Sequence, residues 1–154
     1  MTPETVHLPV VTLIQPWATW IMLGWKTIES RTHNNFARLV GQRIGIHAGK
    51  KLIPYLQHIP SIHPYLSNDQ YSEARSWHAD NSHPLGAIIA TAMVQSSRRL
   101  YPQDSKAALF TITEPGLYGL FLTDVRDIKP IWMSGKQGIW YYDGPAPIPT
   151  EKKQ

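Results

Sequence analysis

The sequence contains no cysteine among its 154 residues. This absence excludes disulfide bonds, zinc sites built on thiolates and cysteine nucleophiles. Disulfides are typical of secreted domains, so a chain without cysteine is consistent with a reducing compartment. We therefore expect a cytoplasmic protein.

Long apolar runs are also lacking. The longest, over residues 10–25, is interrupted by Gln15, Pro16 and Gly24 and is too short to cross a bilayer. The first residues show no basic segment followed by an apolar one, so no signal peptide is predicted. Glycine-rich phosphate loops of the Walker or Rossmann type are absent as well. We expect neither membrane contact nor a cofactor.

The composition indicates one globular domain. Apolar residues make up 42% of the chain and charged residues 17%, which is enough to form a core and too apolar for a disordered protein. The net charge of +4 and a pI of about 9.4 favour a polyanionic partner. Charge alone does not distinguish RNA from DNA, so DNA remains an alternative.

Apolar runs and turn residues predict short strands and a few helices. The strands are predicted over residues 6–14, 26–31, 43–48, 86–94, 118–125 and 138–142, with 128–132 extending or pairing with the fifth. Helices are predicted over 16–24, 51–58 and 69–78, and a loop or short helix over 98–109. This order lacks an even βαβ repeat and predicts an α+β fold, a small mixed β-barrel of five to seven strands with two or three flanking helices. The domain is predicted to span 1–143, followed by a Pro-rich, charged and flexible tail at 144–154.

Four segments are notable for their order and spacing. They are Leu13–Ala18, which reads Leu-Ile-Gln-Pro-Trp-Ala; Gly24–Arg31, with the pattern G-x-K-x-x-E-x-R; Gly41–Lys51; and the group of Gly86–Ile89, Tyr118–Leu120 and Gly135–Trp140. Together they span about residues 6–142 and resemble the ASCH family, a branch of the PUA-like superfamily. The resemblance implies a PUA-like β-barrel with a cleft beside the G-x-K-x-x-E-x-R strand, and a role in RNA binding.

Some proteins that the chain resembles are enzymes that cleave RNA or hydrolyse nucleoside amides. The amidohydrolase-like relatives use a lysine, a threonine three residues later and a remote glutamate. Lys26 matches that lysine, but position 29 holds Glu29 instead of threonine. This departure favours binding over catalysis.

The resemblance and the residue types together give a set of candidate binding residues. They are Gln15, Trp17, Lys26, Glu29, Arg31, His47, Lys50, Ser134, Lys136 and Gln137. Lysine and arginine side chains hold phosphates, a tryptophan stacks on a base, and a glutamate accepts from an exocyclic amine. Lys26 follows a predicted helix stop, and we expect it outside the core. Lys50 and Lys51 are expected to be surface charges, which would attract a nucleic-acid backbone if they flank the cleft.

Several alternatives remain open for these residues. If the protein is an enzyme, Lys26, Glu29 and His47 are the catalytic candidates of a metal-independent ribonuclease or nucleoside amidohydrolase. Each also has a structural interpretation: a solvated lysine, a Glu29–Arg31 ion pair and a hydrogen-bonded core histidine. A protein-interaction adaptor is a third, weaker possibility. The histidines at 58, 63, 78 and 83 do not share one helix face, so no metal site is predicted.

Overall fold

The computed structural model describes residues 4–52, 62–79 and 83–150. The strands in this part are β1 (Thr5–Gln15), β2 (Ile28–Arg31), β3 (Arg43–Leu52), β4 (Ala87–Arg99), β5 (Tyr118–Trp132) and β6 (Trp140–Pro145). Its α-helices are α1 (Trp17–Met22), α2 (Asn68–Ala79) and α3 (Ser105–Ala108). Short 3-10 helices cover Asn35–Leu39, His63–Tyr65 and Pro102–Asp104.

The strands form one curled sheet in the order β2-β5-β4-β3-β1-β6. Neighbouring strands are antiparallel except for β1 and β3, which run parallel. The long β4–β5 ladder contains three register shifts. Such bulges bend strands and increase their twist, so the sheet curls into a half-barrel. The predicted α+β, PUA-like architecture is confirmed.

Both faces of the central strands are buried. On one face, Ala18 and Ile21 of α1 join a cluster that includes Val11, Ile46 and Ile89. The opposite face carries a second cluster built around Val10, Ile88 and Trp140. Burial on both faces explains why β1 and β4 have nearly continuous apolar sequences.

Several elements differ from the sequence prediction. β5 is one continuous strand across the expected break near residue 126, because it pairs with β4 on both sides of that point. β3 continues through Leu52 into the region predicted as a helix over 51–58, and residues 53–61 lie outside the described part. β2 begins at Ile28 because the Lys26 N–H donates to the Trp20 carbonyl oxygen and the Thr27 N–H to that of Ala107.

The first residues of the predicted flexible tail are tied to the sheet. Gly144 pairs with Val6 in the β1–β6 ladder. Beyond it, the Lys129 N–H donates to the Ile148 carbonyl oxygen (2.8 Å), and the Thr150 N–H donates to that of Asp127 (3.0 Å). Residues 144–150 are therefore part of the fold, and residues 151–154 lie outside the described part.

Candidate nucleic-acid interface

A cleft of about 1130 Å³ opens beside the carboxyl-terminal half of β1. One wall is the segment after β2, residues 31–38, and the other is the loop between β5 and β6, residues 134–139. The end of β3 contributes residues 47–51. The cleft therefore collects four segments, from residues 12–14, 31–38, 47–51 and 134–139.

The cleft is strongly basic. Its cationic lining residues are Arg31, Arg38, Lys50, Lys51 and Lys136, and it also contains His33 and His47. Among the described residues that line it there is no aspartate or glutamate. Five formal positive charges thus face one cleft in a chain whose net charge is +4. This concentration gives the cleft a positive potential that attracts anions.

Arg31 closes the curled sheet at the base of the cleft. Three strands lie between β2 and β1 in the sheet order, yet Arg31 Nη2 on β2 donates to the Thr12 carbonyl oxygen on β1 (3.3 Å). Arg31 Nε also lies 3.4 Å from Glu29 Oε1, and its guanidinium carbon lies 5.0 Å from the centroid of the Phe36 ring. The guanidinium therefore joins the edge strand β2 to β1 and still faces the cleft.

His47 and its partners form a hydrogen-bond chain under the cleft. His47 Nε2 donates to the Met133 carbonyl oxygen (2.8 Å), because a carbonyl oxygen can only accept. In the neutral ring, Nδ1 then accepts from the Thr12 hydroxyl (3.2 Å), which accepts from Trp140 Nε1 (3.0 Å). Burial lowers the pKa of His47. These contacts engage both ring nitrogens of His47, and its neutral form fits them.

At Gly135, the loop of residues 134–139 packs closely against the hydrogen-bonded Thr12 and His47 side chains. A Cβ atom at Gly135 would lie 2.5 Å from Thr12 Oγ1 and 2.6 Å from His47 Nδ1. Real Cβ atoms do not approach other atoms so closely, and the hydrogen-bonded His47 ring cannot move away. Only glycine fits there, so the backbone of this wall is held at a fixed place over the cleft floor.

Lys26 and Glu29 lie outside the cleft lining, in the core. Lys26 is 2% exposed, and its ammonium group donates to the Ala108 carbonyl oxygen (2.6 Å). The same Nζ lies 4.8 Å from the Trp17 ring centroid and 5.7 Å from that of Phe110. Its expected place outside the core is therefore wrong, because aromatic rings from two distant segments cover it.

The buried charges shift one another's protonation. Burial lowers the pKa of Lys26 to about 8, against the opposing effect of Glu29, and Arg31 lowers it further. Burial raises the pKa of Glu29, while Lys26 and Arg31 pull it down. Glu29 Oε2 makes no hydrogen bond to a described residue, whereas Oε1 faces Arg31. Glu29 thus keeps one free acceptor beside two cations.

Comparison with solved structures identifies the architecture. The ASCH protein from Zymomonas mobilis aligns with 80% of this chain and 72% of its own, with 18% identity and a TM-score of 0.51. The chain has the ASCH fold. A serine-to-alanine variant of the Zymomonas protein aligns with 86% of this chain and 78% of its own, at 16% identity and a TM-score of 0.47. Neither a family model nor a curated protein matches the sequence.

Gln15 and Trp17 have structural positions in this ASCH fold. Gln15 is fully buried, and its Oε1 accepts from the Thr19 N–H (3.0 Å) and hydroxyl (3.1 Å). Its Nε2 donates to the Pro84 carbonyl oxygen (2.8 Å). Gln15 thereby holds the start of α1 to the segment before β4. Trp17 packs edge-on against Trp20 (5.2 Å between centroids).

The structure brings together six of the ten predicted site residues. Arg31, His47, Lys50, Ser134, Lys136 and Gln137 line the cleft. Gln15, Trp17, Lys26 and Glu29 do not line it. The sequence prediction included Arg31 but missed the rest of its wall, residues 33–38, where His33, Phe36 and Arg38 interleave aromatic and basic side chains. Interleaved aromatic and basic residues suggest nucleic-acid contact. The pattern was overlooked because the segment has a loop-like sequence.

The histidines outside the cleft have other contacts. His63 stacks on Tyr71, and His83 Nδ1 is hydrogen-bonded to the Thr19 hydroxyl (3.1 Å). His58 lies outside the described residues. In the described ranges, no group of three potential metal ligands converges. The described helices also include none that is long and apolar enough to span a membrane.

The lowered pKa of Lys26 predicts a pH dependence of stability. Between pH 8 and its ordinary value of 10.5, the unfolded chain binds more protons at this lysine than the folded chain. The free energy of unfolding should therefore rise with pH, by as much as about 3 kcal/mol across this window. Lys26→Met should lack this rise. Urea denaturation of the wild type and Lys26→Met at several pH values from 8 to 10.5 measures the free energy of unfolding. The same pH dependence in both proteins would contradict the burial of a charged Lys26.

Proposed function

We propose that this chain is an ASCH protein that binds single-stranded RNA, or a modified nucleotide from it, in the basic cleft. The observation that carries the proposal is the charge of the lining, five lysine or arginine side chains and no carboxylate among the described residues. Phosphates bound there would replace condensed counterions, which is the main source of affinity in such complexes. An RNA partner also fits the cytoplasm, where we propose that the protein acts.

The size of the cleft favours a chain of nucleotides over an isolated small molecule. Its volume of about 1130 Å³ exceeds the range of roughly 300–1,000 Å³ that is usual for small-molecule pockets. The cations lie on both walls and on the floor, so a phosphate backbone can contact several of them along its path. A single nucleotide would leave most of these charges without an anion.

Other lining groups suit the bases and sugars. His33 Nδ1 accepts from the Asn35 N–H (3.1 Å), so its other ring nitrogen carries a hydrogen for donation. The His33 ring packs edge-on against Phe36 (5.1 Å between centroids), which orients it. Ser134, Gln137 and Asn35 offer polar groups to base edges and 2′-hydroxyls. These groups favour RNA, with single-stranded DNA as the comparison ligand.

The first test measures RNA binding against salt. If three to five phosphates are neutralised, the slope of log Kobs against log salt should be about −2 to −3.5, since each phosphate contributes roughly 0.7 for single strands. Lys136→Ala and Lys51→Ala should each weaken binding and flatten the slope by about 0.7. Fluorescence anisotropy with labelled single-stranded RNA, and with DNA of the same sequence, measures this.

Lys129→Ala is the matched control for these variants. Lys129 is an exposed lysine on β5 that does not line the cleft, so its removal changes the net charge equally. We expect its salt slope to equal that of the wild type. Equal losses in Lys129→Ala and Lys136→Ala would show attraction to the overall charge and would contradict binding in the cleft.

A metal-independent hydrolase is the second candidate function. The observation that favours it is the Lys26–Glu29 pair, in which the Lys26 pKa lies near 8 and one carboxylate oxygen of Glu29 is free. Groups tuned by burial in this way can act as acid and base. However, both residues are more than nine-tenths buried and Trp17 covers Lys26, so a substrate would have to displace covering groups. We therefore favour binding.

Glu29→Gln separates the two functions, because it preserves shape and removes the charge and the proton-accepting ability. For a binding protein, this variant should bind RNA as tightly as the wild type or more tightly, since it removes a negative charge beside Arg31. For a hydrolase, products formed by the wild type without metal should disappear. Gel analysis of labelled RNA and chromatography of acylated cytidine, each with chelator present, provide the measurement; product formation lost in Glu29→Gln would refute binding as the sole function.

A further inference from the structure

Trp132 is an unusually exposed tryptophan. It is 67% exposed, more than any other large hydrophobic residue in the described part of the chain. Tryptophan is normally well buried, because its large apolar surface is costly to leave in water. Isolated exposed apolar residues are common, however, so the exposure of Trp132 gains significance only from its position.

Trp132 ends β5, directly before the loop that forms one wall of the basic cleft. It is two residues before Ser134, which lines the cleft, and Met133 between them accepts the hydrogen bond from His47. Trp132 pairs with Ala87 of β4, and the Met133 N–H donates to the Gly86 carbonyl oxygen (3.0 Å). This edge of the cleft is thus held in place by backbone pairing.

A cleft cation approaches the same edge. The Cβ position of Gly86 lies 3.6 Å from Cε of Lys50, so the aliphatic part of the Lys50 side chain packs over the backbone beside Ala87. Lys50 also lines the cleft. The exposed Trp132 indole and the Lys50 side chain therefore both lie beside the start of β4.

We propose that Trp132 stacks on an unpaired base of an RNA strand whose phosphates occupy the cleft. This inference rests on the proposed function and deepens it, because it defines the substrate as a strand whose bases are free to unstack. Lysine and arginine in the cleft neutralise phosphates regardless of sequence, whereas an aromatic ring holds a base by its face. The charge of the adjacent cleft favours a nucleobase over a protein surface as the partner of the indole.

The test separates stacking from charge attraction. Trp132→Ala should weaken binding of a single-stranded oligonucleotide by about 5- to 150-fold, which corresponds to the roughly 1–3 kcal/mol that one stacked base contributes. Its salt slope should stay that of the wild type, because no phosphate contact is lost. Trp132→Phe should restore most of the affinity. Inorganic polyphosphate, which has no bases, should bind wild type and Trp132→Ala equally.

Tyr141→Ala provides a matched aromatic control. Tyr141 is 47% exposed on β6, where it stacks on His7, and it does not line the cleft. Its removal should leave RNA affinity unchanged. Anisotropy titrations with both ligands, together with sedimentation velocity of each variant, provide the readouts.

The possible failures are distinguishable. If the wild type binds neither RNA nor polyphosphate, the proposed function itself fails. If the wild type binds RNA and Trp132→Ala binds equally well, only the stacking inference is overturned. If Trp132→Ala lowers the sedimentation coefficient and leaves RNA affinity unchanged, a second copy of the chain covers Trp132 and the inference is likewise overturned.

Discussion

The guanidinium of Arg31 is the contact on which both the fold and the cleft depend. It spans the gap between β2 and β1, two strands separated by three others in the sheet order. The same group faces Glu29 and lies over Phe36. Lysine could not replace it, since one ammonium point charge cannot serve a carbonyl, a carboxylate and a ring in three directions. The Arg31 side chain thus supports both the curl of the sheet and the base of the cleft.

The buried charges beside Arg31 give the G-x-K-x-x-E-x-R motif a structural role. The Lys26 ammonium group donates to the carbonyl oxygen of Ala108 at the end of α3. The carboxyl group of Glu29 interacts electrostatically with both Lys26 and Arg31. Removing one member of a buried charged group leaves the others uncompensated, which is far costlier than losing an exposed ion pair. The motif strand therefore presents Arg31 to the cleft while Lys26 and Glu29 support it from the core.

The positions of the buried charges and of the side chains that line the cleft favour binding over catalysis. Lys26 and Glu29, whose pKa values are shifted by burial, lie in the core, whereas the cleft is lined by cations, His47 and polar side chains. His47, which in the open would be a natural base, has both ring nitrogens engaged and is held neutral by burial. Among its described lining residues the cleft has five cations and no carboxylate, which supports the proposal of a binding site.

Much of the fold was predictable from local sequence, because β1, β3 and β4 have apolar runs bounded by turn residues. The resemblance to ASCH proteins also pointed to the strand that carries Arg31. The burial of Lys26 was not predictable, since Phe110 reaches it from 84 residues away and a lysine after a helix stop is usually solvated. The wall formed by His33 and Arg38 was missed because it has neither helical nor strand periodicity. Long-range packing decides such features, and local patterns do not contain it.

The central claim is that RNA occupies this cleft, and photo-crosslinking tests it most directly. Single-stranded RNA carrying 4-thiouridine would be irradiated with the full chain, and crosslinked peptides would be located by mass spectrometry. If RNA occupies the cleft, crosslinks should form in residues 31–38 and 132–139. Unlabelled RNA and high salt should both reduce the yield of these crosslinks. Crosslinks confined to the exposed face of β5 around Arg126 and Lys129, with none in these two segments, would contradict it.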